Sequence, residues 1–272
     1  MGRRVPVHEE QASPSRGLLA DIIVYRCGLA DREQTEPLSY TLHSVKQTLE
    51  SILDVFGPSD KTRVLLQGSG NYRNQVATIQ PYKGNRDPSK RPQYFDEIRE
   101  YLIEYKGAEL VHGKETDDEL ATTQWANEDR STCIVTIDKD LDCVPGWHYN
   151  YVKQEMYYVD LATANKKFWL QVLTGDSTDN IQGIPKVGPK TAEKILEGIT
   201  DWSEMHNAVL KAYENKFGSE AFKHFHETAT LIWIQREHMI NYNGEPIGKE
   251  EGREEDEESL SAERANEDTA VH

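Results

Sequence analysis

With 272 residues, of which 37% are hydrophobic, the chain can bury a sizeable core and a smaller appendage, but it has no run of about 18 apolar residues able to span a membrane. The opening MGRRVPVHEEQASPSRG lacks the apolar centre of a signal peptide, so the sequence reads as a soluble, cytoplasmic monomer with no membrane partner. A formal charge of −16 argues against nucleic acid only in bulk, because residues 243–272, with 11 acidic and 3 basic residues, carry half of the excess.

Residues 1–17 read as a flexible N-terminus. In LLADIIVYR (18–26) two readings stand: a short strand GLLA that ends at Asp21, or a strand IIVY with Asp21 at its start. SVKQTLESILDVF (44–56) has helical periodicity, and RVLLQG (63–68) is a short apolar run of the kind that forms a buried parallel strand. Residues 71–92 form a loop in which Arg73, Lys83, Arg86, Lys90 and Arg91 alternate with Tyr72 and Tyr82, a mixture suited to phosphate contact and base stacking. QYFDEIREYLIEYK (93–106) and TDDELATTQWA (116–126) are helical patterns, the second with Thr116 as N-cap, and STCIVTID (131–138) is a second strand. Strands alternating with helices predict an α/β fold with a mainly parallel sheet, whose ligands gather at the carboxyl ends of the strands. From about residue 161 only helical patterns follow, to residue 242. The segment 243–272 has too few large apolar residues to offset the entropy of ordering and reads as a disordered acidic tail.

Three acidic clusters stand where strands end or helices begin: Glu115, Asp117 and Asp118; Asp138 and Asp140; Asp176 and Asp179. Acids in a first helical turn also serve the helix dipole. DKDLD is not an EF-hand, because Cys143 stands where that loop needs glycine and Tyr149 where it needs a bidentate acid. Taken together the clusters offer an oxygen-only site for Mg²⁺ or Mn²⁺, and two such ions can drive in-line attack of water on a phosphodiester. In GIPKVGPKTA, Gly183 and Gly188 permit a tight hairpin, and Lys186 and Lys190 stand at the entrance of a helix that can hold a phosphate. The three cysteines, Cys27, Cys133 and Cys143, form no CxxC pair and read as free thiols.

The motifs GDSTDNIQGIPKVGPKTA, YKGNR, ETDD and TIDKD, in that family's order over about residues 18 to 200, resemble the 5′-nuclease family: phage 5′→3′ exonucleases, flap endonucleases and the 5′-nuclease domain of bacterial DNA polymerase I. The resemblance implies a PIN-like (Rossmann-like) core over 18–160, with a helical arch near 81–106, and a helix-hairpin-helix subdomain over 161–242, often with a K⁺ ion. It implies two Mg²⁺ ions, replaceable by Mn²⁺: Asp21, Glu115, Asp117 and Asp118 at the first, Asp138, Asp140, Asp176 and Asp179 at the second. Lys83 and Arg86, on the arch helix, would reach the scissile phosphate together with the catalytic acids Asp117, Asp118, Asp138 and Asp140. Arg73, Tyr82, Lys90, Arg91, Gly183, Lys186, Gly188 and Lys190 would contact DNA.

Two positions depart from the family pattern. Leu19 stands where the first-strand aspartate is expected, with Asp21 two residues late, and Gly68 and Ser69 stand where another aspartate usually follows the second strand. The reading is a two-metal 5′-nuclease acting on DNA 5′ ends, flaps or duplexes with single-stranded arms, in phage-type replication, repair or recombination. The alternatives are a DNA-structure-binding protein of the same fold with weak or no catalysis, and a relative that removes RNA primers from RNA–DNA hybrids.

Overall fold

The structure is a computed structural model that describes residues 15–31, 33, 35–56, 62–127 and 132–247; most of the expected N-terminal segment and of the acidic tail lies outside the described residues. Its centre is a six-stranded sheet: β1 (Ser15–Leu19), β2 (Thr62–Gln67), β3 (Glu109–Val111), β4 (Thr132–Val135), β5 (Gly146–Asn150) and β6 (Glu155–Val159). The order is β3-β2-β1-β4-β5-β6, all parallel except the edge strand β6. This is the mainly parallel α/β sheet that the alternating pattern predicts.

Helices cover both faces. On one lie α1 (Asp21–Gly28), α2 (Leu38–Asp54) and α4 (Phe95–Lys106), which pack Ile23, Val24, Val45, Leu49, Ile98 and Leu102 against Leu18, Val64, Leu66 and Val135. Between β2 and α4 sits α3, a single turn (Arg73–Val76). On the other face α5 (Thr116–Trp125) lays Leu120 and Ala121 over Leu19, Leu65 and Ile134. A Cβ on Gly17 would stand 2.3 Å from Leu120 Cδ2, so glycine in the central strand lets α5 lie this close. Each fully buried Leu or Ile contributes about 1.5–3 kcal/mol.

The C-terminal part is helical. α6 (Leu161–Thr174) is capped by Asp160, whose carboxylate accepts the Thr163 N–H at 2.7 Å. A two-stranded ribbon, β7 (Gly175–Asp176) with β8 (Ile181–Gln182), and an exposed turn lead to α7 (Pro189–Ile195), α8 (Trp202–Phe217) and α9 (Ala221–Ile232). Phe168, Trp169, Tyr213 and Phe225 fill their common core. Folded chain reaches past the residue where the composition places the tail: Ile247 is buried and donates its N–H to the Met239 carbonyl at 2.8 Å.

Several local expectations change. The N-cap of α5 is Glu115 rather than Thr116, because Asp118 accepts the Glu115 N–H at 3.1 Å and draws that residue into the helix start. IIVY belongs to α1, not to a strand, so the GLLA reading holds and Asp21 follows the end of β1. The expected arch helix is not continuous over 81–106: residues 81–87 form turns, Pro88–Lys90 a 3-10 turn, and the helix begins at Phe95. Lys83 adopts φ +55°, outside helical conformation. The helical pattern expected to residue 242 is interrupted after Ile232, where the chain turns extended at Trp233. Among the described residues the three cysteines are buried free thiols, and no helix is long and apolar enough to cross a membrane.

Candidate active site

Beyond the carboxyl ends of the parallel strands lies a cavity of about 270 Å³, lined by Glu115, Asp117, Asp138, Asp140, Asp176 and Asp179 together with Tyr82, Lys83 and Arg86. A cleft of about 1080 Å³ shares Tyr82, Lys83, Arg86, Glu115, Asp117 and Asp138 with it, and continues over Tyr25, Arg26, Arg91, Phe95 and Arg99. Acidic floor and basic approach thus meet at Lys83 and Arg86.

Each acid is aimed by its local backbone. Glu115 and Asp117 sit at the cap and in the first turn of α5, directly after β3. Asp138 follows β4; its N–H donates to Thr136 Oγ1 at 3.0 Å, and its own Oδ1 accepts the Asp140 N–H at 2.9 Å, which starts the 3-10 turn Asp140–Cys143. From α6, Gln171 Nε2 donates to Asp140 Oδ1 at 2.6 Å, and Lys167 approaches it at 3.7 Å. Asp176 accepts the N–H groups of Thr178 at 2.7 Å and Asp179 at 3.3 Å, closing the β7–β8 turn. The basic turn is tied to that ribbon: the Lys83 N–H donates to the Asp179 carbonyl at 2.8 Å, and Asn180 Nδ2 donates to the Pro81 carbonyl at 2.8 Å.

The charges are unevenly paired. Lys83 forms a short ion pair with Glu115 and stands 3.5 Å from Asp179, while Arg86 meets Asp179 at 2.7 Å. Asp117 and Asp138 make no ion pair with Lys or Arg among the described residues. Burial, then the neighbouring Glu115 and Asp138, push the Asp117 carboxyl well above its ordinary range. Burial and Asp138 likewise raise Asp140. For Glu115 burial acts in the same sense, but Arg73 and Lys83 outweigh it and hold the carboxyl low. As the side chains stand, among the described residues no three carboxylate, imidazole or thiol groups converge on one metal position. Lys83 and Arg86 hold Glu115 and Asp179 instead. The donor set still fits a hard cation: it is all oxygen, and Asp117 and Asp138, which repel each other, make no ion pair among the described residues.

Four expected roles fall away on geometry, and a fifth residue, Asp21, is ion-paired. Asp118 is fully buried and cannot reach a metal: Arg73 Nη1 and Nη2 bind it at 2.6 and 2.9 Å, and the N–H groups of Glu115 and Gln235 donate to it at 3.1 and 3.0 Å. Arg73, 2% exposed, cannot reach DNA; its remaining donors satisfy the Leu231 and Trp233 carbonyls at 3.0 and 2.7 Å, which explains why α9 stops there. Tyr82 is buried rather than free to stack on a base, its hydroxyl donating to Glu115 at 3.0 Å and Asp179 at 2.9 Å. Gly183 is buried too; a Cβ there would lie 2.3 Å from the Gly175 backbone nitrogen, so close packing of the ribbon accounts for it. Asp21, expected at a metal, is paired with Arg99 Nη1 at 2.9 Å and accepts the Gln67 N–H at 2.7 Å. Lys90, Arg91, Lys186, Gly188 and Lys190 are exposed, Lys186 and Gly188 on the turn into α7 and Lys190 in its first helical turn.

Sequence reasoning did not find Arg99, Phe95 or Tyr25. Arg91 and Arg99 lie over the Phe95 ring at 4.2 and 5.4 Å from its centroid, and Tyr25 meets that ring edge-on at 5.5 Å. Their only signal was an aromatic and two arginines around the start of an amphipathic helix.

No established family profile matches the chain. It is 35% identical over 151 residues to DNA polymerase I of Rhizobium leguminosarum, covering 50% of this chain and 14% of that protein. Flap endonuclease Xni of Shewanella piezotolerans is 27% identical, over 61% of this chain and 71% of that one, and the 5′-3′ exonuclease of Buchnera aphidicola 25%, over 77% and 80%. Among solved structures, a bacteriophage T5 flap endonuclease in a pseudo-enzyme–product complex with DNA and metal ions superposes with a TM-score of 0.62 at 15% identity, covering 80% of this chain and 88% of that one. The zinc-bound T5 5′-exonuclease gives a TM-score of 0.58 at 15% identity, over 80% and 86%. In sequence the chain is thus similar to proteins named flap endonuclease and 5′-3′ exonuclease, and in fold to the T5 flap endonuclease.

Proposed function

We propose that the chain is a divalent-metal-dependent 5′-nuclease that hydrolyses DNA phosphodiesters at 5′ ends or flaps. The observation that carries this reading is the acidic cavity at the strand ends, opening through Lys83 and Arg86 into a cleft where Arg26, Arg91 and Arg99 stand beside Tyr25 and Phe95. Relatives named flap endonuclease and 5′-3′ exonuclease support it. The oxygen-only donor set favours Mg²⁺, with Mn²⁺ as substitute, held by Asp117 and Asp138 with Asp140 and Asp176 beside them. When bound, such an ion supplies an activated water and stabilises charge on the phosphoryl oxygens.

The chain's own side chains do the rest. Lys83 and Arg86 exchange their carboxylate partners for the phosphate that enters from the cleft, and so stabilise its developing negative charge. Gln171 and Lys167 hold Asp140 in place from α6. The exposed Lys186, on the turn before α7, and Lys190, in its first turn, contact the duplex backbone away from the cut.

The test is cleavage of 5′-labelled flap, nicked-duplex and RNA–DNA substrates over a Mg²⁺ or Mn²⁺ titration, with Asp138→Asn as control. Cleavage that needs the metal and drops by about a hundredfold or more in Asp138→Asn is expected. Activity within about threefold of the unaltered chain would refute the site. A second reading, a DNA-structure-binding protein with weak catalysis, is favoured by one observation: Asp21 and Asp118 are both taken up by arginines. Tight flap binding in Ca²⁺ without cleavage in Mg²⁺ is its signature.

A further inference from the structure

At the β1–β2 end of the site a protein cation holds the carboxylate, whereas Asp117 and Asp138 at the β3–β4 end make no ion pair with Lys or Arg among the described residues. Arg99, from α4, reaches across the cleft so that Nη1 binds Asp21 Oδ1 at 2.9 Å and Nη2 the Gln67 carbonyl at 2.5 Å. The other Asp21 oxygen accepts the Gln67 N–H at 2.7 Å and Thr116 Oγ1 at 3.3 Å, so both oxygens of that carboxylate are committed. Neither partner is a loose surface group: their side chains are 16% and 22% exposed.

The positions where the family pattern carries a carboxylate offer none to replace Asp21. Leu19 ends β1. At Gly68 a Cβ would stand 2.6 Å from the Val111 carbonyl oxygen and 2.7 Å from His112 Nδ1, so no carboxylate can be accommodated. The Ser69 hydroxyl is held by His112 Nδ1 at 3.0 Å. Asp118 is closed off by Arg73. A divalent ion at Asp21 would have to detach a guanidinium from two partners and then share a confined space with it, like charge against like charge.

We propose that Arg99 is a built-in cation at this end of the site, fixed on Asp21, so that the chain takes up one divalent ion, at Asp117 and Asp138, and none at Asp21. This rests on the nuclease reading above and sets one ion against the two that the family resemblance implies. Arg99 lines the cleft, and its fork has donors beyond the two in use, so its charge is presented to an entering phosphate without a metal.

The experiment is a Mn²⁺ titration of the full chain without DNA, followed by electron paramagnetic resonance of free Mn²⁺ and by calorimetry. One tight ion per chain is expected. Asp117→Asn should weaken it more than about tenfold, and Asp21→Asn should leave its affinity within about threefold. Arg99→Gln, which frees Asp21, should create a second Mn²⁺ site that Arg99→Gln with Asp21→Asn lacks. Arg99→Lys, which keeps the charge, should stay at one ion. Should Arg99→Gln fail to fold, the Asp21→Asn affinity decides by itself. Two tight ions in the unaltered chain, or a tenfold loss in Asp21→Asn, would overturn this inference alone. Absence of any bound Mn²⁺ would overturn it together with the metal-dependent reading.

Discussion

At the scale of single residues, the pair Arg73–Asp118 separates architecture from chemistry. Asp118 sits in an acidic motif next to Asp117, yet the two neighbours face different worlds: Asp117 points into the cavity, while Asp118 is sealed beneath it against a guanidinium. Removing one partner leaves a buried charge uncompensated, so Asp118→Ala is expected to cost about 3–5 kcal/mol in urea unfolding. Loss of cleavage in that variant should track loss of folded protein. A fully folded Asp118→Ala protein that has lost Mn²⁺ affinity would contradict the assignment. His148 offers a residue-scale pH test. It is fully buried on β5, with Nε2 donating to the Val144 carbonyl at 2.8 Å, its ring stacked on Tyr157 at 5.4 Å and Asp142 as an attracting charge. Burial lowers its pKa despite those contacts. In the unfolded chain imidazole protonates near about 6.5, so the folded state is at full advantage above that pH and loses stability as pH falls, by at most about 1.4 kcal/mol per unit. Replacing His148 by Gln should flatten the fall of the urea midpoint between about pH 7 and 5 relative to the unaltered chain; parallel profiles would show that another group is responsible.

At the scale of elements, the turn at 81–87 is held rather than helical. Glu227 of α9 accepts the N–H groups of Thr78 and Ile79 at 2.9 and 2.8 Å and so pins the chain just before the turn, while the ribbon β7–β8 grips the turn itself through Asp179 and Asn180. A turn fastened at both ends presents Lys83 and Arg86 at a defined place, which is what stabilising a transient phosphate charge requires. Lys83→Ala and Arg86→Ala are therefore expected to lower single-turnover rates by about tenfold or more while duplex affinity changes by less than about threefold. Filter-binding and rapid-quench measurements on the same flap would decide; equal losses in both would mean that these residues merely attract DNA.

At the scale of the whole molecule, the bulk charge of −16 conceals an ordered division. Carboxylates gather in one cavity, arginines from α1 and α4 and their flanks enter the cleft beside it, and the exposed Lys186 and Lys190 stand on a separate element at the start of α7. Binding to a duplex should thus depend on salt despite the acidic composition. Lys190→Ala is expected to weaken duplex binding and to reduce the slope of log affinity against log salt by about 0.9, the amount for one phosphate contact, with single-turnover cleavage at saturating protein unchanged. An unaltered slope would remove the start of α7 from the DNA surface.

How much of this was legible beforehand depends on the range of the forces involved. The strands β2 and β4, the helices α2, α4 and α5, and the C-terminal helices rest on local periodicity, and the acids Glu115, Asp117, Asp138, Asp140, Asp176 and Asp179 could be read as one group because each closes or opens such an element. The short strands β3, β5 and β6 had no comparable signal; they exist because the sheet offers them partners. IIVY has strand-forming side chains but forms a helix, since only as α1 can it bury Ile23 and Val24 while Asp21 meets Arg99. Composition and local pattern determined the α/β class and the acidic site by themselves. Tertiary structure alone decided which charges remain available: the partners Arg73–Asp118 and Arg99–Asp21 are 45 and 78 residues apart in the chain, and nothing local in the sequence links groups at such separations.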